Sequence, residues 1–253
     1  MPKAFLMTRR TALSGFAAPF LLGGCLNLPP LNLQEGTQAM AFELPGRALP
    51  LRCVVTLPSG YLRAPAARWP LLLFLHGSGE RGADLEAVKM HGPPKLVALG
   101  AEWPLVLVSP QLEAGDRWSP ADLHALVNLL KARLRIDPQR VLATGLSLGG
   151  MGVWNWAASY PQDLAAIAPV CGFGDPAIFA KSVCRALSVP VRAYHGAADT
   201  VVPLAAQQAS VDALRACGGT VEFIVYPGVG HNAWDPAYND PELLPWLLRQ
   251  RRT

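Results

Sequence analysis

The chain has 253 residues, of which 51% are hydrophobic and only 16% charged, a balance that builds a buried core and excludes a disordered chain. Its formal charge is +4, but removing Lys3, Arg9 and Arg10 with a cleaved leader leaves 19 basic against 18 acidic residues. That near-neutral balance gives no basis for a nucleic-acid partner.

The first 25 residues read as a targeting segment. Thr8-Arg9-Arg10-Thr11 precedes an uncharged stretch from Ala12 to Gly24, short for a membrane-spanning helix but suited to the apolar core of a signal peptide. Paired arginines ahead of such a core point to the Tat route. Leu22-Gly23-Gly24-Cys25 is similar to a bacterial lipobox, in which Cys25 is lipidated and becomes the new N-terminus. The expected product is an exported, periplasmic or cell-envelope lipoprotein held to a membrane by its N-terminal lipid. The alternative is an ordinary secretory signal in which Cys25 is a small apolar residue. Residues 26–37, with Pro29-Pro30 and no periodicity, read as a tether, and residues 38–253 as the folded domain.

Beyond the tether, β-rich apolar runs alternate with helical patterns. Ala39–Leu44 and Leu51–Leu57, separated by a Pro-Gly turn, predict an antiparallel hairpin. Leu71–Leu75 is continuously apolar, as a strand covered on both faces should be. Strands of the same kind are predicted at Leu105–Val108, Val141–Thr144, Ala166–Val170, Val191–Tyr194 and Val221–Tyr226. Helices are predicted at Asp122–Leu134, Gly149–Ser159, Leu204–Cys217 with a Gly218-Gly219 cap, and Pro241–Arg251. This alternation predicts an α/β fold, a mostly parallel eight-stranded sheet with helices on both faces and no large lid.

Cys53, Cys171, Cys184 and Cys217 show no CxxC pair, so no metal site is expected, and nothing in the chain implies a cofactor. An exported protein can form disulfides, with Cys171 and Cys184 the nearest pair; buried free thiols are the alternative.

Ser147 lies in Gly145-Leu146-Ser147-Leu148-Gly149, between a predicted strand and a predicted helix. On that sharp turn the serine is forced outward, and the N–H of Leu148 at the helix start faces developing negative charge. A serine hydroxyl needs a base and a group to orient that base. Asp199 follows Ser147 by 52 residues and His231 follows Asp199 by 32, each beyond a predicted strand, in the order nucleophile, acid, histidine. Asp175 competes as the acid; His76, His91, His124 and His195 compete as the base. The glycine-rich loop His76-Gly77-Ser78-Gly79 after the third strand can bring a second N–H beside that of Leu148. It carries no G-x-x-x-x-G-K-[S/T] pattern, which sets a phosphate loop aside.

His76-Gly77-Ser78-Gly79, Gly145–Gly150, His195-Gly196-x-x-Asp199 and Gly230-His231 together resemble the phospholipase/carboxylesterase and dienelactone-hydrolase branch of the α/β-hydrolases, over roughly residues 51–251. Gly79–Gly82, His91–Pro94 and Ser109–Gln111 resemble a bacterial subgroup of predicted peptidases and feruloyl-esterase-like enzymes. The resemblance implies an ester hydrolase with Ser78 and Leu148 as oxyanion-hole donors. It departs from the dienelactone hydrolases at the nucleophile, where those carry Cys. Trp118 and Trp234 could line the acyl or aryl pocket, or belong to the core. The expected activity is ester cleavage through an acyl-enzyme on a small-molecule substrate. The other readings are a peptidase or amidase of the same fold and a non-catalytic lipoprotein binding module.

Overall fold

The computed structural model describes residues 31–252. The leader, Cys25 and the first part of the tether lie outside the described residues. Eight strands form one sheet: β1 (Gly36–Phe42), β2 (Leu51–Leu57), β3 (Trp69–Leu75), β4 (Val106–Pro110), β5 (Ile136–Leu146), β6 (Ala166–Val170), β7 (Val191–Gly196) and β8 (Val221–Tyr226). Their order is β1-β2-β4-β3-β5-β6-β7-β8. β1 and β2 form the expected hairpin, β2 runs antiparallel to β4, and the rest are parallel. In that register Gly36 lies opposite Leu57, and Thr56 opposite Leu107 near the start of β4. β1 therefore begins at the end of the sheet away from the tips of the parallel strands. It starts three residues ahead of the expected Ala39, so the sheet takes in the last two tether positions.

The helices are α1 (Gly92–Ala98), α2 (Pro120–Arg133), α3 (Leu148–Ser159), α4 (Pro176–Ser182), α5 (Leu204–Ala216), α6 (Trp234–Tyr238) and α7 (Leu243–Arg249). Alternate residues of the central strands, among them Leu72, Phe74, Leu142 and Leu146, share a buried cluster with Tyr238, Leu243 and Leu247. That face is covered by α1, α6 and α7. Intervening residues such as Leu71, Leu73, Val141 and Ala143, which point the other way, are also fully buried; α2 and α3 pack on β5 and on each other. Sequence periodicity did not predict α1, α4 or α6, and it drew the C-terminal helix too long. α1 and α4 open on prolines, which read as breakers along a chain but are tolerated in a first helical turn. Asp175 caps α4, its carboxylate accepting the Ala177 N–H at 2.9 Å.

The cysteines correct one expectation. Cys184 pairs with Cys217, not with Cys171, while Cys53 and Cys171 are free and buried. Cys171 follows the C-terminal tip of β6; α4 and a short 3-10 helix then carry the chain back to the start of β7, and Cys184 lies on that return. Cys217 caps the C-terminus of α5, on the way to the start of β8. Along the sequence 171 and 184 are separated by one helix, but that helix and the 3-10 turn after it return the chain towards the start of β7.

Candidate active site

Ser147 sits between the last residue of β5 and the first of α3 with φ 53° and ψ −115°. Only one other non-glycine residue among those described, Cys171, has positive φ. A positive φ costs a side-chain-bearing residue free energy unless the surroundings hold it. Here the Ser147 N–H donates to the Val170 carbonyl of β6 at 2.9 Å. The flanking glycines are required by close approach. A Cβ on Gly149 would lie 1.8 Å from the Leu75 carbonyl oxygen, and one on Gly145 would lie 2.6 Å from the Gly149 carbonyl oxygen. The turn is tight because β5, β3 and the start of α3 meet there backbone to backbone.

The three residues expected to act together do meet. His231 Nε2 lies 2.9 Å from Ser147 Oγ, and His231 Nδ1 lies 2.7 Å from Asp199 Oδ2. The other oxygen of Asp199 accepts the N–H groups of Val201 and Val202, both at 2.9 Å. Burial works against ionisation of Asp199. The hydrogen bonds from His231, Val202 and Val201 outweigh it and hold the carboxyl below its usual range. Of the competitors, Asp175 is a helix cap, and His124, on α2, pairs with Asp163 at 2.8 Å.

His76 is fully buried. Its Nδ1 contacts the Gly77 carbonyl at 2.6 Å while Nε2 accepts the Leu112 N–H at 3.0 Å, and burial pulls its pKa down to about 4. The ring is thus a neutral strut beneath the loop that carries Ser78. Ser78 itself is exposed. The loop runs against the nucleophile turn, since a Cβ on Gly77 would meet Leu146 Cδ1 at 2.7 Å. Leu148 opens α3, so its N–H is a first-turn donor without an intrahelical acceptor.

Of the two tryptophans, Trp234 is half-buried with its ring 5.2 Å from that of His231 and 5.3 Å from that of His91. It borders the site, and so does His91, one of the histidines that compete as the base. Trp118 is a correction. It is 7% exposed, its indole N–H donates to the His76 carbonyl at 3.1 Å, and its ring fills the space over Gly152. It braces the Ser78 loop from behind and lines no open pocket.

Cys171, Asp199 and His231 bring one ligand-type atom each within 4.8 Å of one another. His231 and Asp199 are hydrogen-bonded to each other, and burial pushes the Cys171 thiol up to about 12. A cavity of about 720 Å³ lies at the other end of the sheet, between Glu35, Leu57, Trp103 and Leu105, and contains neither histidine nor cysteine.

Known proteins place this geometry. Residues 104–240 match the phospholipase/carboxylesterase family, a stretch that holds Ser147, Asp199 and His231. Carboxylesterase SOBER1 of Arabidopsis thaliana is 30% identical over 133 residues, covering 52% of this chain and 58% of that protein. Poly(3-hydroxyalkanoate) depolymerase C of Paucimonas lemoignei is 30% identical over 175 residues, covering 62% of this chain and 38% of that protein. The chain thus spans about two-fifths to three-fifths of the length of these relatives. The crystal structure of a thermostable esterase superposes with a TM-score of 0.71 at 27% identity, covering 85% of this chain and 63% of the other. Sheet order, strained serine turn and sequence match agree: the chain has an α/β-hydrolase fold and belongs to the phospholipase/carboxylesterase family.

Proposed function

We propose that the protein hydrolyses carboxylic esters through an acyl-enzyme on Ser147. The observation that carries this reading is the unbroken hydrogen-bonded line from Ser147 Oγ through both nitrogens of His231 to Asp199. In the first step Ser147 Oγ attacks the ester carbonyl as His231 Nε2 takes its proton. The tetrahedral oxyanion is met by the N–H groups of Leu148 and Ser78, and the proton passes from His231 to the leaving alcohol. Water then enters, gives a proton to His231 and attacks the acyl-serine; His231 returns that proton to Ser147 Oγ as the bond to the serine breaks and the acid leaves. Asp199 keeps the proton of His231 on Nδ1, so that Nε2 faces the serine, and stabilises the imidazolium in both halves. The half-buried Trp234 beside His231 supplies an aromatic wall for acyl or aryl groups.

The names of the relatives favour esters over peptides. The disulfide between Cys184 and Cys217 supports residence in an oxidising compartment, in keeping with export of a lipid-anchored protein. Two measurements test the reading. Ser147→Ala should keep the fold by circular dichroism, lose labelling by a fluorophosphonate probe, and lose roughly 10⁵-fold or more of p-nitrophenyl acetate turnover. Retained turnover would overturn the nucleophile. Asp199→Asn should lower kcat by roughly 10³- to 10⁴-fold, whereas Asp175→Asn, altering only a helix cap, should change it little. Cleavage of short peptides without turnover of activated esters would instead establish an amidase.

A further inference from the structure

A second imidazole touches the carboxylate of Asp199, and the proposed chemistry leaves it without a task. His195 lies in β7 next to its last residue, with no solvent exposure. Its Nε2 is 2.9 Å from the Val202 carbonyl oxygen and 3.4 Å from Asp199 Oδ2. Its Nδ1 is 2.5 Å from Oε1 of Gln207 on α5. The orientation of that amide is set on its far side, where Gln207 Nε2 donates to the Pro169 carbonyl at 3.3 Å. Turning the amide over would set two carbonyl-type oxygens against each other, so its oxygen faces the ring. Every partner of His195 is therefore an acceptor, and a neutral imidazole has only one proton to give. His76 is the internal contrast, with one acceptor and one donor around its ring.

We propose that His195 carries both ring protons and acts as a positioning residue, a buried cation beside the same Asp199 oxygen, Oδ2, that meets His231. An unpaired buried imidazolium would be costly. Asp199, whose side chain has no solvent exposure, is its counter-ion. The loop between them closes on itself: Val202 gives its N–H to Asp199 Oδ1 and its carbonyl to His195 Nε2. Oδ2 of the carboxylate thereby meets two imidazoles, one fixed and one that moves protons. The groups that face this cation are Asp199, the neutral amide of Gln207 and the Val202 carbonyl. Cys171, whose thiol approaches Asp199 from the tip of β6, is kept protonated by burial.

The kinetic part of this inference rests on Asp199 orienting His231 for Ser147; the spectroscopic part does not. In the full-length wild-type protein with ¹⁵N-labelled histidine at pH 7, both ring nitrogens of His195 should show bound protons in slow exchange with water. Assignment comes from the resonances lost in His195→Gln. A single-proton tautomer of His195 in the folded wild type overturns the proposal, whatever hydrolysis requires. The pH profile of kcat/KM for p-nitrophenyl acetate is the second readout. With the charge beside Asp199 removed in His195→Gln, the acid limb of that profile should move up by about one pH unit. An unmoved limb in a folded variant also overturns the proposal. Should His195→Gln fail to fold, the four single variants His76→Gln, His91→Gln, His124→Gln and His231→Gln supply the assignment by elimination and the wild-type spectrum decides. Failure of the triad reading is seen separately, as hydrolysis that survives Asp199→Asn.

Discussion

At the scale of single residues, histidines of one chemical kind take different roles because their neighbours differ. His231 faces a hydroxyl and a carboxylate; His76 faces one carbonyl and one N–H inside the core. Burial favours the neutral form of His76 and lowers its pKa from 6.5 to about 4. From pH 6.5 down to about 4 the unfolded chain therefore takes up a proton that the folded chain refuses. Stability present above pH 6.5 is lost progressively across that window and levels off below it, for a total of about 3 kcal/mol. Urea titrations at pH 7, 5.5 and 4.5 should show this decline, and His76→Gln should flatten it. The loss from Asp199 is distinct, because its lowered carboxyl takes up protons only below the ordinary carboxylate range. The order Ser147, Asp199, His231 was legible in the sequence, since each residue follows an apolar run. The placement of Trp118 was not: a tryptophan near a site and a tryptophan behind it have the same one-letter context, and only the Gly152 gap draws this one inward.

At the scale of elements, the nucleophile is a property of a junction. β3, β5 and α3 approach so closely at Gly149 that a single methyl group would overlap the Leu75 carbonyl. Overpacking in a core costs about 1–3 kcal/mol when side chains can yield, and here the obstacle is backbone. Gly149→Ala should therefore destabilise the fold by about 3 kcal/mol or more in urea unfolding and slow fluorophosphonate labelling, because the first turn of α3 moves. Gly79→Ala is the control. A Cβ there meets nothing within 4 Å, and stability should stay near that of the wild type. The strands were the legible elements, because runs such as Leu71–Leu75 are apolar on both faces and end at glycines. α1 and α4 were not, because at seven residues each they are too short to show a period and their opening prolines look like stops.

At the scale of the molecule, the disulfide joins Cys184 to Cys217 across a separation of 33 residues. The segment it closes contains β7, the Asp199 loop and α5. In the chain-entropy account a loop of that length contributes about 3–4 kcal/mol. Reduction with dithiothreitol, or the double change Cys184→Ser and Cys217→Ser, should lower the unfolding free energy by about that amount. Alkylation of Cys53 and Cys171 in the native protein should be slow, because both thiols are buried.

The register that sets Gly36 opposite Leu57 also fixes an orientation. The chain enters the sheet at one pole, while Ser147 follows the tip of β5 at the other. Exchanges at the start of β1 therefore fall at the opposite end of the sheet from the serine.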